Sequence, residues 1–175
     1  MKLHQIINSV TEPLEKFPRP FEKALRYCRD LVGAEVGVFK GRHARSLLDN
    51  LHLKQLYLID PFAPYNEVAN AEHMAKVEQI AHKTAGDPRV KWIKDKSLSV
   101  KLENLDFCYI DGDHSYEAVK ADIPHWFASI RRGGVLGGHD FHDKNPGVIK
   151  AVTEFAEANH LPLNVSKPDW WVFKP

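Results

Sequence analysis

Short apolar segments alternate along the chain from Ala34 onward with longer segments in which apolar residues recur every three or four positions. Strands rich in Val, Ile, Phe and Tyr give the first pattern, and amphipathic helices give the second. The predicted strands are residues 34–39, 55–59, 90–93, 105–110 and 135–138, and the predicted helices are residues 44–51, 67–85, 115–130 and 148–159. An alternation of this kind is typical of parallel βαβ units.

The 105–110 segment, Leu-Asp-Phe-Cys-Tyr-Ile, is nearly continuous in apolar residues, which is typical of a strand covered on both faces. The chain therefore predicts an α/β fold in which a mostly parallel sheet lies between two helix layers. In the 115–130 helix, Pro124 removes a backbone donor, so we expect a kink there or a helix that starts afresh. Residues 163–174 predict two short strands that turn through Lys167, Pro168 and Asp169.

Residues 1–33 precede the βα pattern and form a separate N-terminal segment. Prolines interrupt this segment, and it leads into a helix predicted near residues 21–31. Its aromatic residues Phe17, Phe21 and Tyr27 stand outside the βα repeat, where the short fold has little else to cover a site. We therefore expect residues 1–33 to act as a helical lid and residues 34–175 to form the ligand-binding domain of a single globular unit.

Composition narrows the class of protein. The chain of 175 residues fits one domain, and 24 Lys and Arg against 23 Asp and Glu give a net charge of only +1, so nucleic acid is not an expected partner. Cys28 and Cys108 are far apart and form no CxxC pair, which argues against a zinc site or a disulfide framework. With no signal peptide or membrane span in the sequence, we expect a cytoplasmic protein without membrane partners.

The first candidate site is the turn that follows the 34–39 strand. Gly37 and Gly41 stand four residues apart before a predicted helix, and glycines let a backbone approach a ligand closely. The helix start adds free amides and a positive dipole end. Asp60 follows the next strand about twenty residues later, where a carboxylate can accept both ribose hydroxyl protons. Together these features favour an adenosine-containing cofactor, although a tight turn without a ligand would also need the two glycines.

Carboxylates and imidazoles follow the next two strands. Asp111, Asp113 and His114 come after the 105–110 strand, where Ser115 also serves as a helix N-cap. Asp140 follows the 135–138 strand among further histidines. Because ligands in open α/β sheets bind outside the carboxyl ends of strands, Asp111 and Asp140 are expected at the same sheet edge, close enough to share a divalent cation.

These segments resemble a known family. The runs GAEVGVFKGRHARSLL, LYLIDPF, DFCYIDGDHSYEAVKADIPHWFASIRRGGVLGGHDF and GVIKAVTEF, with the closing WWVFK, are similar to small class I S-adenosylmethionine-dependent methyltransferases. The nearest branch is the macrocin-type O-methyltransferases, with a more distant likeness to the caffeoyl-CoA type. The resemblance covers residues 34–174, and its specific parts are IDGDHSYEAV and GGVLGGHDF.

The resemblance implies a Rossmann-like seven-stranded sheet with an antiparallel C-terminal hairpin. It also implies S-adenosylmethionine as cofactor and a small-molecule acceptor methylated at oxygen. The cofactor residues that it implies are Glu35, Gly37, Gly41, Asp60, Ser97 and Asp111.

The metal-dependent relatives imply a second set of roles. By this resemblance Asp111 and Asp140 are the metal ligands, for Mg²⁺ or another divalent cation, while Phe141 stands where the relatives carry an asparagine ligand. His139 and His142 are nearby substitutes, since imidazole binds transition metals but is a poor ligand for magnesium. His114 stands where the relatives carry a lysine that takes the acceptor's proton, so His114 and Asp111 are the predicted catalytic residues.

Two other functions fit part of the sequence. An NAD(P)-binding Rossmann oxidoreductase would also use a strand, a glycine turn and an acid, and Tyr116 and Lys120 have the spacing of the short-chain reductase pair. A non-catalytic methyltransferase-like binding module is the other, but such a module has no physical need for acids at several strand ends. The sequence identifies neither the acceptor nor the oligomeric state, a homo-oligomer included.

Overall fold

A computed structural model describes residues 19–175, and the prediction that rests on Phe17 lies outside this range. The helices are α1 (Pro20–Leu25), α2 (Arg42–Asn50), α3 (Ala71–Thr84), α4 (Tyr116–Ser129) and α5 (Pro146–Ala158), with a short 3₁₀ helix at Ser97–Ser99. The strands are β1 (Leu31–Val36), β2 (Leu53–Ile59), β3 (Val90–Ile93), β4 (Leu105–Ile110), β5 (Ile130–Gly138), β6 (Asn164–Ser166) and β7 (Asp169–Phe173).

The seven strands form one sheet in the order β3-β2-β1-β4-β5-β7-β6. The pairs from β3 to β5 are parallel, and β7 pairs antiparallel with both β5 and β6. This is the predicted mostly parallel sheet with an antiparallel C-terminal hairpin. The predicted bounds of β3 and β4 are confirmed residue for residue.

Two apolar cores cover the two faces of the sheet. On one face, α1, α2 and α3 pack against side chains that include Leu58, Phe107 and Tyr109. On the other, α4 and α5 pack against side chains that include Cys108 and Ile110. Successive residues of β4 alternate between the two cores because side chains point to opposite faces along a strand. The nearly continuous apolar run of β4 thus reflects burial on both sides.

Several predicted boundaries are wrong, and the most informative is that of β1. This strand ends at Val36 rather than Phe39, because Gly37 turns the chain with a φ of +85°. Strand β5 begins at Ile130, five residues earlier than predicted. Helix α4 continues through Pro124, so no new helix starts there, and its N-cap is the predicted one, with the Ser115 hydroxyl accepting from the Ala118 amide at 3.3 Å.

Helix α1 belongs to the core. It ends at Leu25, six residues before the predicted end, and Phe21 is 0% exposed. The Phe21 ring packs edge-on against Phe107, with 5.9 Å between ring centroids, and tilted against Tyr109 at 4.9 Å. Phe21 is therefore a core side chain on the face of the sheet, whereas Tyr27 is 83% exposed.

These two aromatic residues give a matched test of α1. We expect Phe21→Ala to lower the free energy of unfolding by about 3–5 kcal/mol, because it removes a fully buried ring from a close-packed core. Tyr27→Ala should change it by less than about 0.5 kcal/mol. Urea unfolding followed by tryptophan fluorescence measures both. Equal effects of the two substitutions would show that α1 does not pack as described.

Candidate active site

The predicted site residues meet at one edge of the sheet. Strands β2, β1, β4 and β5 are neighbours and run parallel, so their carboxyl ends lie side by side. Asp60 follows β2, Asp111 follows β4, and Asp140 comes two residues after β5. Glu35 is the last residue but one of β1 and pairs in register with Tyr109 of β4. The sequence thus correctly placed these acids together.

The turn between β1 and α2, residues 37–41, is called here the cofactor turn. It takes left-handed backbone conformations at Gly37 (φ +85°), Phe39 (φ +48°) and Gly41 (φ +74°). For a bulky residue such as Phe39 this conformation costs about 1–2 kcal/mol. A Cβ at Gly37 would also overlap the backbone carbonyl of Asp111. The turn is therefore a strained path that neighbouring groups must hold in place.

Asp60 holds the cofactor turn from the β2 side. Its Oδ2 accepts hydrogen bonds from the amides of Val38 at 2.9 Å and Phe39 at 3.0 Å. Its Oδ1 accepts from the Phe62 amide at 2.7 Å, and the residue is 9% exposed. A carboxylate has about four lone-pair sites, so one remains for a ribose hydroxyl. Asp60 is thus a structural partner of the turn as well as its predicted ribose ligand.

A buried cluster of three ionisable groups, Glu22, His43 and Glu35, lies beneath the turn. His43 Nδ1 lies 3.2 Å from Glu35 Oε1, and His43 Nε2 lies 3.5 Å from Glu22 Oε1. The side chains of the three residues are at most 4% exposed. Within residues 19–175, Glu35 Oε2, Glu22 Oε1 and His43 Nε2 have no hydrogen-bond partner. No signal in the sequence pointed to His43, because nothing near it in the chain marks it as the partner of two acids.

Burial and charge act in opposite directions in this cluster. Burial alone would lower the pKa of His43, but the carboxylates of Glu22 and Glu35 outweigh it and raise this pKa to about 9. Burial raises the pKa of Glu35, against the opposing effect of His43. His43 is therefore an imidazolium at neutral pH, placed between two carboxylates.

The start of α2 suits the carboxylate end of an amino-acid cofactor. Gly41 is the N-cap residue and, in the described part of the chain, no side chain caps this nine-residue helix. The amides of His43 and Ala44 in its first turn can donate to an anionic group, which the helix dipole also favours. The uncapped helix start and the remaining lone pair of Asp60 fit the two ends of an adenosyl amino acid such as S-adenosylmethionine.

Ser97 is engaged with α4. Its hydroxyl donates to Asp122 and accepts from the indole N–H of Trp126 at 2.8 Å. These bonds attach the loop after β3 to the buried part of α4. The contact of Ser97 with adenine stays a prediction.

The second group of side chains, the Asp140 cluster, follows β4 and β5. Its members are Asp111, His114, His139, Asp140, His142 and Asn145. Asp140 Oδ2 lies 2.9 Å from His114 Nε2 and 3.1 Å from His139 Nδ1. The Oδ1 of Asp111 lies 3.8 Å from His114 Nε2 and 3.7 Å from His139 Nδ1. The two aspartates thus face the same two imidazoles, as their expected proximity requires.

Sequence reasoning missed Asn145 in this cluster. Its amide nitrogen donates to Asp140 Oδ1 at 2.9 Å, beside His142 Nε2 at 3.1 Å. Phe141, at the position of the relatives' asparagine, is buried in the core against α5. The only available signal was Asn145 itself, an amide residue five positions after Asp140 and directly before the proline that begins α5.

Two aspartates control the protonation of His114. Asp111 and Asp140 raise the pKa of His114 to about 10, so its imidazole holds a proton more firmly than that of an ordinary histidine. Burial would raise the pKa of Asp140, but His114 and His139 lower it well below its usual range. His114 is therefore a proton donor to Asp140 in this structure, and its role as a base stays a prediction.

Because Phe141 stands where the metal-dependent relatives carry an asparagine ligand, a divalent cation here would need a different set of ligands. Asp111, His139 and Asp140 each offer one ligand atom, and these atoms lie within 4.8 Å of one another. Two carboxylates and an imidazole suit manganese, iron, cobalt or zinc better than magnesium, which prefers oxygen ligands. These residues fit a transition-metal ion once the imidazoles give up their bonds to Asp140.

Comparison with known proteins decides the family. The sequence profile of a methyltransferase domain matches residues 34–141. The chain belongs to this methyltransferase family. The match covers every strand from β2 to β5 together with the cofactor turn and the Asp140 cluster up to Phe141. The chain is thus a class I S-adenosylmethionine-dependent methyltransferase.

Similar proteins share this fold at low sequence identity. Uncharacterized protein R132 of Acanthamoeba polyphaga mimivirus is 29% identical over 163 residues, which cover 85% of this methyltransferase and 69% of that protein. The O-methyltransferase NovP is 16% identical with a TM-score of 0.62, over 88% of this chain and 79% of that one. A putative methyltransferase of Streptococcus mutans, solved with S-adenosylhomocysteine, is 15% identical with a TM-score of 0.57, over 89% and 97%.

The fold of the methyltransferase also argues against the oxidoreductase alternative. The antiparallel β7 lies between β5 and β6, whereas the dinucleotide-binding fold continues with parallel strands. Tyr116, the residue of the reductase-like spacing, donates to Glu154 of α5 at 2.6 Å and accepts from Lys120 at 2.8 Å. Its hydroxyl is part of an exposed surface network.

No helix within residues 19–175 has the length and apolar character to cross a membrane.

The cofactor turn of the methyltransferase can be tested with two glycines. We expect Gly37→Ala to lower the free energy of unfolding by about 2 kcal/mol or more, because the new Cβ meets the Asp111 backbone and the residue has a positive φ. At Gly112, the nearest atom to a new Cβ is Val36 Cγ1 at 4.0 Å, so Gly112→Ala should cost well under 1 kcal/mol. Chemical denaturation compares the two variants. A loss of unfolding free energy in Gly37→Ala as small as that in Gly112→Ala would contradict the close approach of the turn to Asp111.

Proposed function

We propose that this methyltransferase moves the methyl group of S-adenosylmethionine to a hydroxyl oxygen of a small-molecule acceptor. The observation that carries the proposal is the order of the strands. It places the cofactor turn and Asp60 on β1 and β2 directly beside the acids and imidazoles that follow β4 and β5. A methyl donor held on one side would therefore face groups that can orient an acceptor and move its proton.

The residues on the cofactor side bind S-adenosylmethionine and orient its methyl group. Asp60 offers its remaining lone pair to the ribose, and the uncapped start of α2 offers its amides to the cofactor carboxylate. Glu35 shapes the turn from below, and Gly37 and Gly41 allow its left-handed path. Transfer forms a bond between carbon and oxygen and breaks the bond between carbon and sulfur, so the gain comes from alignment of the three atoms.

The residues on the acceptor side remove the proton of the acceptor hydroxyl. The acceptor loses a proton as its oxygen gains the methyl group, and His114 is the candidate base because it lies beside both aspartates. His114 must first lose its own proton to solvent before it can act as the base. A divalent cation held by Asp111, His139 and Asp140 would supply a positive charge that competes with this proton and lowers the pKa of a coordinated hydroxyl.

The acceptor class is that of small molecules with a hydroxyl group. NovP is named an O-methyltransferase, and the structurally similar CalS11 is named a TDP-rhamnose 3'-O-methyltransferase, with 14% identity and a TM-score of 0.60. The near-neutral net charge of +1 gives no support to a nucleic-acid acceptor. The acceptor's identity and a homo-oligomeric assembly are left to experiment.

Cofactor binding is the first test. We expect S-adenosylhomocysteine to bind by calorimetry and to raise the melting temperature, because a ligand that binds the native state stabilises it. NAD should do neither. Asp60→Ala should weaken binding by about tenfold or more and lower stability as well, because it leaves the amides of the turn unpaired.

Glu103→Ala is the control for Asp60, because Glu103 is an exposed acid that lies just before β4, at the opposite edge of the sheet from the cofactor turn. Its affinity for S-adenosylhomocysteine should stay within about twofold of wild type. A melting shift with NAD and none with S-adenosylhomocysteine would overturn the assignment of the cofactor.

The acceptor side is tested once an acceptor is found. His114→Ala should slow methyl transfer by about 100-fold without weakening S-adenosylhomocysteine binding, because the base acts on the acceptor. His160→Ala, at an exposed histidine after α5, is the control. Full activity of both His114→Ala and Asp140→Asn would remove the proposed role of this cluster.

The cation is tested by binding as well as by activity. Calorimetric titration should show tighter binding of Mn²⁺ than of Mg²⁺, and His139→Ala should weaken the Mn²⁺ affinity, because its imidazole is the ligand that favours a transition metal. A chelator should slow methyl transfer reversibly. Full activity in the chelator would exclude the cation and leave His114 as the candidate base.

A further inference from the structure

In the Glu22–His43–Glu35 cluster only Glu35 has a role in the function proposed above, yet the cluster spans the cofactor turn. Glu35 stands two residues before the turn on β1, and His43 stands two residues after it on α2. Their 3.2 Å contact therefore links the two ends of the turn from beneath, while Asp60 bonds its middle from the β2 side. A link of this kind limits the paths that the five turn residues can take.

The position of His43 is itself fixed from outside α2. Its ring packs on Tyr109 with 4.0 Å between ring centroids, and the Tyr109 hydroxyl donates to Asp169 of β7 at 2.7 Å. Its second nitrogen faces Glu22, a residue of α1 that is 0% exposed. Strand β4 and helix α1 together therefore leave the imidazolium a single orientation between its two carboxylates.

If its role were only structural, the Glu22–His43–Glu35 cluster would be an unfavourable choice, because it costs desolvation free energy. Two carboxylates share one imidazolium in a buried place, and Glu35 Oε2 and Glu22 Oε1 have no hydrogen-bond partner within the described residues. Apolar side chains of similar size would avoid this desolvation cost. Strained backbone persists only where surrounding groups hold it in place, so this buried cluster beneath the strained turn is a candidate for such a supporting group.

We propose that His43 is a positioning residue for cofactor binding: it holds the cofactor turn through Glu35, and through Glu22 it makes this hold depend on the packing of α1. The proposal rests on the proposed function, since the cofactor is the ligand of the turn. It gives the N-terminal helix a role in cofactor affinity without any contact between α1 and the cofactor.

Matched variants test the two links. We expect His43→Gln to weaken S-adenosylhomocysteine binding by about tenfold, because a neutral amide cannot serve both carboxylates. Glu22→Gln should weaken binding in the same direction, because its amide can still pair with Asn50 but no longer offers His43 a carboxylate. Calorimetry measures both affinities well below the melting temperature of each variant.

Two controls separate positioning from general loss of stability. Leu48→Ala removes a buried apolar side chain of α2 and should lower the melting temperature, but the affinity for S-adenosylhomocysteine should stay within about twofold of wild type. Asn50→Ala removes the 3.0 Å bond to the other oxygen of Glu22 and should likewise leave the affinity unchanged. Equal losses of affinity in His43→Gln and Leu48→Ala would overturn the proposal, as would wild-type affinity in Glu22→Gln.

Hydrogen exchange gives a readout that needs no cofactor. Amides of residues 37–43 should exchange faster in His43→Gln and Glu22→Gln than in wild type, and at the wild-type rate in Asn50→Ala. Unchanged exchange rates in the first two variants would overturn the proposal that His43 holds the turn. If wild-type protein fails to bind S-adenosylhomocysteine, the proposed cofactor is wrong, while the exchange rates still decide whether His43 holds the turn.

Discussion

The left-handed turn between β1 and α2 is the constraint on which the site depends. Gly37 packs so closely on the Asp111 backbone that a side chain has no room, and Phe39 adopts a conformation that few bulky residues take. Carboxylates from two directions maintain this path: Asp60 binds its amides, and Glu35 links it through His43 to the start of α2. The acids that a sequence comparison would assign to the ligand therefore also support the turn itself. Ligand binding and fold stability share the same atoms at this point.

The other half of the site is organised by Asp140. Its two oxygens receive four nitrogen donors, from His114, His139, His142 and Asn145. This arrangement is compatible with a carboxylate held by hydrogen bonds or with a set of metal ligands. The two states exclude each other, because the hydrogen bonds and a cation would use the same lone pairs of Asp140. The two carboxylates also explain why the pKa of His114 is raised. A cation bound by these carboxylates would therefore compete with the proton of His114.

Much of the fold follows from the sequence, and the exceptions have physical reasons. Strand β4 was predicted to the residue because both of its faces are buried and its run is apolar except for Asp106. The end of β1 was wrong because Val38 and Phe39 continue the apolar pattern, while a positive φ at Gly37 leaves no trace in hydropathy. Asp60, Asp111 and Asp140 were found because strand ends converge in any parallel sheet. His43 could not be found in this way, since its partners Glu22 and Glu35 come together only when α1 packs on the sheet.

The packing of α1 links the remaining parts. Phe21 fills the core beside Phe107 and Tyr109, and its backbone amide donates to Asp169 of β7 at 3.3 Å. The next residue, Glu22, faces His43 and so reaches the cofactor turn through one imidazole. One short helix therefore contacts the C-terminal hairpin on one side and the group beneath the turn on the other. Because buried charges tolerate little displacement, a shift of α1 would separate Glu22 from His43 before it exposed much apolar surface. The turn is accordingly sensitive to the position of a helix that has no residue at the sheet edge where the chemistry occurs.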